Sequence, residues 1–167
     1  MNDQRIYRVL FLCTANSARS VLAEAALQRA GGGRFEAFSA GSTPRGAVNP
    51  AALELLAAEG FDTSRFRSKS WDEFAAPGAP ELDFIITLCD SAAGESCPVW
   101  PGRPVSAHWG LPDPAAVDEK AERRAAFAAT LRVIEARIER LLQLPIEELD
   151  TAELKRQLAA IGTPHDS

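Results

Sequence analysis

The chain is poor in the residues that build disulfide frameworks and structural metal sites: its 167 residues include three cysteines and two histidines. An odd number of cysteines does not close a disulfide set, and the two histidines lie too far apart to complete a zinc pattern. No stretch approaches the ~18 uninterrupted apolar residues of a membrane-spanning helix. The apolar run inside MNDQRIYRVLFLC is short and has no cleavage-type site behind it, so a secretory signal is not expected. There is no basic excess either. The formal charge of -5 argues against nucleic acid or an anionic membrane as the main partner, because both reward a basic surface. What remains, at 46% hydrophobic and 25% charged residues, is the composition of one well-packed globular domain, expected in the cytoplasm. In that reducing compartment the cysteines are either reactive or simply buried.

Residues 8 to 12 read as a buried strand, and SVLAEAALQRA as a helix over 20 to 30 that the Gly31-Gly32-Gly33 run stops. FEAFSAG is a second strand, ending in turn residues Gly41 to Pro44. NPAALELLAAEG is a fully punctuated helix, with Asn49 as N-cap, Pro50 at the first helical position and Gly60 past the end. SWDEF predicts a short helix opened by a Ser70/Glu73 capping box. LDFIITLC is a β-branched run apolar enough for burial on both faces, and PVSAHW is a weaker strand ahead of the loop GLPDPAAVD. Phe127, Leu131, Ile134, Ile138 and Leu141 then form the stripe of one long helix, which Pro145 ends. Residues 146 to 167 form an amphipathic coda and tail, with Leu154, Leu158 and Ile161 on one face and a stop at Gly162, appended to a domain over 1 to 145. Strands alternating with helices at this spacing predict an α/β fold, a parallel sheet between helical layers, whose ligand site lies at the carboxyl ends of the strands. Cys13 and Cys89 both stand at such ends.

The loop after the first strand carries the most chemistry. A Cys-x5-Arg match is weak by itself, since chance supplies one in roughly a quarter of chains of this composition. Here, however, the match follows a strand, opens a helix and is filled by Thr14, Ala15, Asn16, Ser17 and Ala18, small enough for the backbone to wrap closely round a ligand. Such a nest at a helix N-terminus binds a tetrahedral oxyanion, and the Arg19 guanidinium can chelate two of its oxygens. The same field favours a Cys13 thiolate; in such settings a cysteine pKa falls from ~8.5 to ~3.5–7.5. Ser20 can donate to that sulfur, and Asn16 suits a left-handed backbone position.

Asp113, between prolines in LPDPA, is either the acid of a helix-start turn or a general acid brought over the nest to protonate a leaving oxygen. Cys89 and Cys97 stand seven small or polar residues apart. Zinc with nearby His108 is one reading, though the spacing is no finger pattern and a fourth ligand is lacking. Two inert buried thiols are another. A relay in which Cys89 reaches a Cys13 adduct and Cys97 then reaches Cys89 is the reading that uses both.

LFLCTANSARS, TLCDSAAGESCPVWPG and HWGLPDPA together resemble the arsenate reductases built on the low-molecular-weight tyrosine phosphatase fold, over about residues 6 to 144. The resemblance implies a four-stranded parallel sheet flanked by helices in three layers, arsenate as substrate with phosphate as competitor, and electrons from thioredoxin, or from glutaredoxin with glutathione. By position, Cys13 is the nucleophile, residues 14 to 20 and the Arg19 side chain bind the oxyanion, Asp113 is the general acid, and Cys89 and Cys97 are the redox pair. The resemblance implies no tightly bound cofactor, but an alkali cation, potassium, near Asn16, Glu24, Ser39, Ser70 and Asp72. The rival is a phosphatase acting on phosphotyrosine with the same nest and Asp-Pro. That family follows Asp-Pro with tyrosines, where this chain has Ala115 and Ala116, and it has no use for Cys89 and Cys97. A third reading is a non-catalytic oxyanion or redox sensor, against which the intact Asp113 counts.

Overall fold

The computed structural model describes residues 6–88 and 104–162. Four strands, β1 (Tyr7–Leu12), β2 (Phe35–Ala40), β3 (Phe84–Thr87) and β4 (Val105–His108), form one sheet in the order β2-β1-β3-β4. All three pairings are parallel and in a register that brings Leu12, Ala40, Thr87 and His108 to one edge. The central strands β1 and β3 are the continuous apolar runs of the sequence, as strands buried on both faces should be. The third strand is shorter than LDFIITLC predicts, and Leu82 ahead of it packs in the cluster under the sheet.

Side-chain alternation divides the core in two. Tyr7, Val9, Phe11, Phe35, Ala37, Phe84 and Ile86 face the helices α1 (Arg19–Ala30), α2 (Pro50–Ala58), α3 (Lys120–Leu142) and α4 (Thr151–Gly162), which share one apolar cluster with them. Leu10, Leu12, Ala40 and Ile85 face the other way, onto Trp71, Phe74 and Leu82. The predicted stripe Phe127, Leu131, Ile134, Ile138 and Leu141 is fully buried along α3. Each such side chain contributes about 1.5–3 kcal/mol. α3 also reaches the sheet's carboxyl edge, where Arg137 donates to the carbonyls of Trp109 and Gly110 at 2.9 and 3.2 Å and fixes the loop that follows β4.

The caps behave as the sequence predicts at α2, where Asn49 accepts from the Ala51 N–H and Gly60 takes φ +91°. The capping box at Ser70 is only half formed. Ser70 Oγ accepts from the Asp72 N–H of a 3₁₀ turn (Trp71–Phe74), but the Glu73 carboxylate is taken by a bidentate pair with Arg67 at 2.6 and 3.0 Å. A charge-assisted fork outcompetes a reach back to one neutral N–H, and it holds the Glu73 carboxyl below its ordinary pKa. Among the described residues, no helix is long and apolar enough to cross a membrane.

The coda is built into the core rather than resting on it. Ile146, Leu154, Leu158 and Ile161 join the helical cluster, and the Trp109 indole N–H donates to the Leu158 carbonyl at 2.9 Å. Gly162 is demanded by contact as much as by helix termination: a Cβ there would lie 2.4 Å from the His108 carbonyl oxygen and 2.5 Å from the Trp109 ring. Leu158→Ala is therefore expected to destabilise the whole chain by about 2–5 kcal/mol in urea denaturation, in a single transition. A loss below about 0.5 kcal/mol would mean the coda only rests on the surface.

Candidate active site

Strand β1 delivers Cys13 to the carboxyl edge of the sheet, and the chain then turns through residues 14 to 18 into α1. Asn16 makes this turn possible. It is the one non-glycine residue with positive φ among the described residues, at +47°, and it is completely buried. Its side-chain amide donates to Ser20 Oγ at 2.8 Å and its Oδ1 accepts from the Lys69 N–H at 2.8 Å, while its own N–H donates to the Cys13 carbonyl at 3.2 Å. Asn16 thus braces the loop and does not offer its N–H to a ligand.

The loop's carbonyls are tied outward. Those of Thr14, Ala15 and Ser17 accept from the N–H groups of Thr43, Arg45 and Asn49 at 2.9, 3.0 and 2.8 Å. The N–H groups of Ala15, Ser17 and Ala18 have no partner among the described residues. Ala18 caps α1 without a side-chain hydrogen bond, so the helix terminus also keeps its donors. Gly41 lets β2 close against this turn: a Cβ there would lie 2.3 Å from the Thr14 carbonyl oxygen and 2.5 Å from that of Cys13.

Cys13, Thr14, Ala15, Ser17, Ala18, Arg19, Arg45, Asp113 and Ala115 line a cavity of about 220 Å³. Within it the Arg19 side chain is largely buried. One terminal nitrogen donates to the Leu111 carbonyl at 2.7 Å and the other lies 3.9 Å from Asp113 Oδ2. Its Nε is buried with no partner, alone in this respect among side-chain nitrogens and oxygens of the described residues. An unspent donor on a fixed guanidinium, beside loop amides without protein partners, has the chemistry to hold an oxyanion.

Asp113 satisfies both of its sequence readings, one per oxygen. Oδ1 accepts from the Ala115 N–H and caps the 3₁₀ turn Pro114–Ala116, whereas Oδ2 is directed toward Arg19. Cys89 and Cys97 lie outside the described residues. His108, considered above for zinc, has its Nδ1 2.8 Å from Thr87 Oγ1.

Several oxygens of the residues expected to hold potassium already make hydrogen bonds within the protein. Glu24, a buried residue of α1, accepts from Ser39 Oγ at 2.6 Å; Asn16 Oδ1 is taken by Lys69, and Ser70 Oγ by Asp72. The Asp72 side chain lies on the exposed surface. These bonds compete with an alkali ion for the same oxygens. The Lys69 ammonium stands there instead, donating to the carbonyls of Ser39 and Arg67 at 2.8 and 3.0 Å. Burial raises the Glu24 pKa, opposed first by the Lys69 charge, and burial lowers that of Lys69, opposed by Glu24. Sequence reasoning missed Arg45, Lys69 and the close approach at Gly41. Each is brought in from a distant segment, and nothing in its local sequence marks it.

The profile of the low molecular weight phosphotyrosine protein phosphatase family matches residues 8–159, and the chain belongs to that family. Within it, the chain is 36% identical over 132 residues to an arsenate reductase of Bacillus licheniformis, covering 79% of this chain and 89% of that one. The structure of an arsenate reductase from Archaeoglobus fulgidus superposes with a TM-score of 0.62 and 32% identity, over 81% of this chain and 99% of that one. A thioredoxin-dependent arsenate reductase from Corynebacterium glutamicum gives 0.55 and 26%, over 83% and 64%.

Two outcomes follow from this geometry. Arg19→Lys keeps the charge but not the fork, and is expected to lower oxyanion turnover by about 10²-fold or more; near-normal kinetics would remove Arg19 from the site. Gly41→Ala should cost about 1–3 kcal/mol of stability and distort the nest, so that oxyanion affinity falls together with the denaturation midpoint. An unchanged affinity would show that the backbone contact at Gly41 does not shape the loop.

Proposed function

We propose that this chain is a cytoplasmic arsenate reductase, and the observation that carries the proposal is the unspent Nε of Arg19, a residue that lines one cavity with Cys13 and Asp113. Arsenate enters with its oxygens on the loop amides and the guanidinium. The Cys13 thiolate attacks arsenic, an As–O bond breaks, and Asp113 gives its proton to the departing oxygen, which leaves as water. The product is a thiol–arsenate adduct, still As(V). The Cys89 thiolate then attacks the Cys13 sulfur; a disulfide forms, the S–As bond breaks, and its electron pair reduces arsenic to As(III), released as arsenite. Cys97 attacks Cys89 in turn, freeing Cys13 and leaving a Cys89–Cys97 disulfide for a dithiol reductant. Thioredoxin fits that last step, as named for the Corynebacterium relative, and glutaredoxin with glutathione is the other candidate.

Phosphate monoester hydrolysis needs only the nest, Cys13 and Asp113, so a slow phosphatase side reaction is part of this reading. A dedicated phosphotyrosine phosphatase fits less well. Ala115 stands in the cavity wall after Asp-Pro, and the groove continuing from it carries Arg45, Lys120, Arg123 and Arg124 rather than an aromatic clamp.

The test is arsenite released per enzyme in a single turnover, with mapping of trapped disulfides. Cys13→Ser should abolish release and hydrolysis together, since a serine hydroxyl is almost wholly protonated at neutral pH. Cys89→Ser should release none. Cys97→Ser should release one equivalent, with a Cys13–Cys89 disulfide, and then stall with thioredoxin. Both of the latter variants should keep slow hydrolysis of para-nitrophenyl phosphate. Full thioredoxin-coupled reduction by Cys89→Ser and Cys97→Ser would refute the relay and leave two buried thiols.

A further inference from the structure

A single residue joins three pieces of backbone beneath the nest. The Lys69 N–H holds Asn16 Oδ1, the Lys69 carbonyl accepts from Gly41 N at 2.9 Å, and the Lys69 ammonium bridges the carbonyls of Ser39 and Arg67. Glu24 reaches the same Ser39 through its hydroxyl. Burial disfavours the Glu24 carboxylate, and Lys69 is the charge that most opposes this, ahead of Arg65 and Arg67, with Glu73 engaged by Arg67.

We propose that the Lys69 ammonium is the resident cation of this site, doing by covalent attachment what a bound alkali ion would otherwise do, so that the nest is held in shape without potassium. An ammonium is close to potassium in size and charge, and it here binds the kind of carbonyl oxygens an alkali ion takes. Adding an alkali ion would place a second positive charge against it. Lys69 is a positioning residue: it touches no reacting atom and acts through Asn16, whose amide orients Ser20, and through the β2 end that closes on Cys13.

The experiment compares potassium with choline chloride at matched ionic strength, using the full chain. The unmodified protein should show the same melting temperature in both salts, and an arsenate KM within about twofold. Lys69→Met keeps the main-chain bonds and removes the charge. It should raise KM, gain a response to potassium of at least about threefold, and respond likewise to methylammonium. A purely structural lysine would give neither rescue. Because the chain has only three lysines, Lys69, Lys120 and Lys155, the side-chain nitrogen of Lys69 can also be followed by NMR in ¹⁵N-lysine-labelled protein. One exchange-protected ammonium signal, unmoved by potassium, is expected. Stabilisation of the unmodified protein by potassium, or a protected signal absent or shifted by it, would overturn the proposal even if the variant failed to fold. So would a folded Lys69→Met that ignores both cations. The KM comparison rests on the arsenate reductase reading; the melting and NMR measurements do not, so the two can fail separately.

Discussion

The site depends on holding one guanidinium in a buried position with a donor left unspent. An unpaired buried donor costs about 1–3 kcal/mol, so Arg19 stays in place only because the surrounding structure leaves it no alternative. Its terminal nitrogens are tied to the Leu111 carbonyl and directed at Asp113. Leu111 is itself hydrogen-bonded to Leu88 at the end of β3, and Arg137 of α3 pins the backbone just before it. The apolar stripe that buries α3 in the helical core therefore also anchors the loop that leads to Asp113. Under the proposed function an oxyanion bound to Nε removes this cost, so that the mismatch contributes to ligand affinity.

Charge is arranged in two tiers around this point. The upper tier faces the cavity: Arg19, Arg45, the terminus of α1 and the loop amides, with Asp113 as the single carboxylate among the lining residues. The lower tier, Glu24, Ser39, Lys69 and Asn16, is joined by hydrogen bonds within the protein. The chain's overall negative charge is thus compatible with a locally cationic cavity, because the local field and not the net charge acts at this range.

The strands, the helix boundaries and the Cys13–Arg19 loop were legible because each is written locally: an apolar run, a capped helix, five small residues between a cysteine and an arginine. Asn16 could be assigned its left-handed backbone from residue type alone, though not the brace it makes with Ser20 and Lys69, whose partner stands 53 residues away. The Ser70/Glu73 box failed for a related reason. Its spacing was right, but Arg67 offered Glu73 a better partner, and pattern rules carry no competition between partners. Nothing in the local sequence marks Arg45 and Lys69; the fold carries their segments to the sheet's carboxyl edge. Gly41 and Gly162 read as punctuation, whereas the structure requires them at close contacts that no single segment encodes.

The most direct measurement of the central claim is a crystal structure of the reduced protein soaked with arsenate. The oxyanion should lie against Cys13 with one oxygen within hydrogen-bond distance of Arg19 Nε, others on the amides of Ala15, Ser17 and Ala18, and a further oxygen facing Asp113. An anion bound elsewhere, or bound at Cys13 with Arg19 Nε still unpaired, would contradict the account.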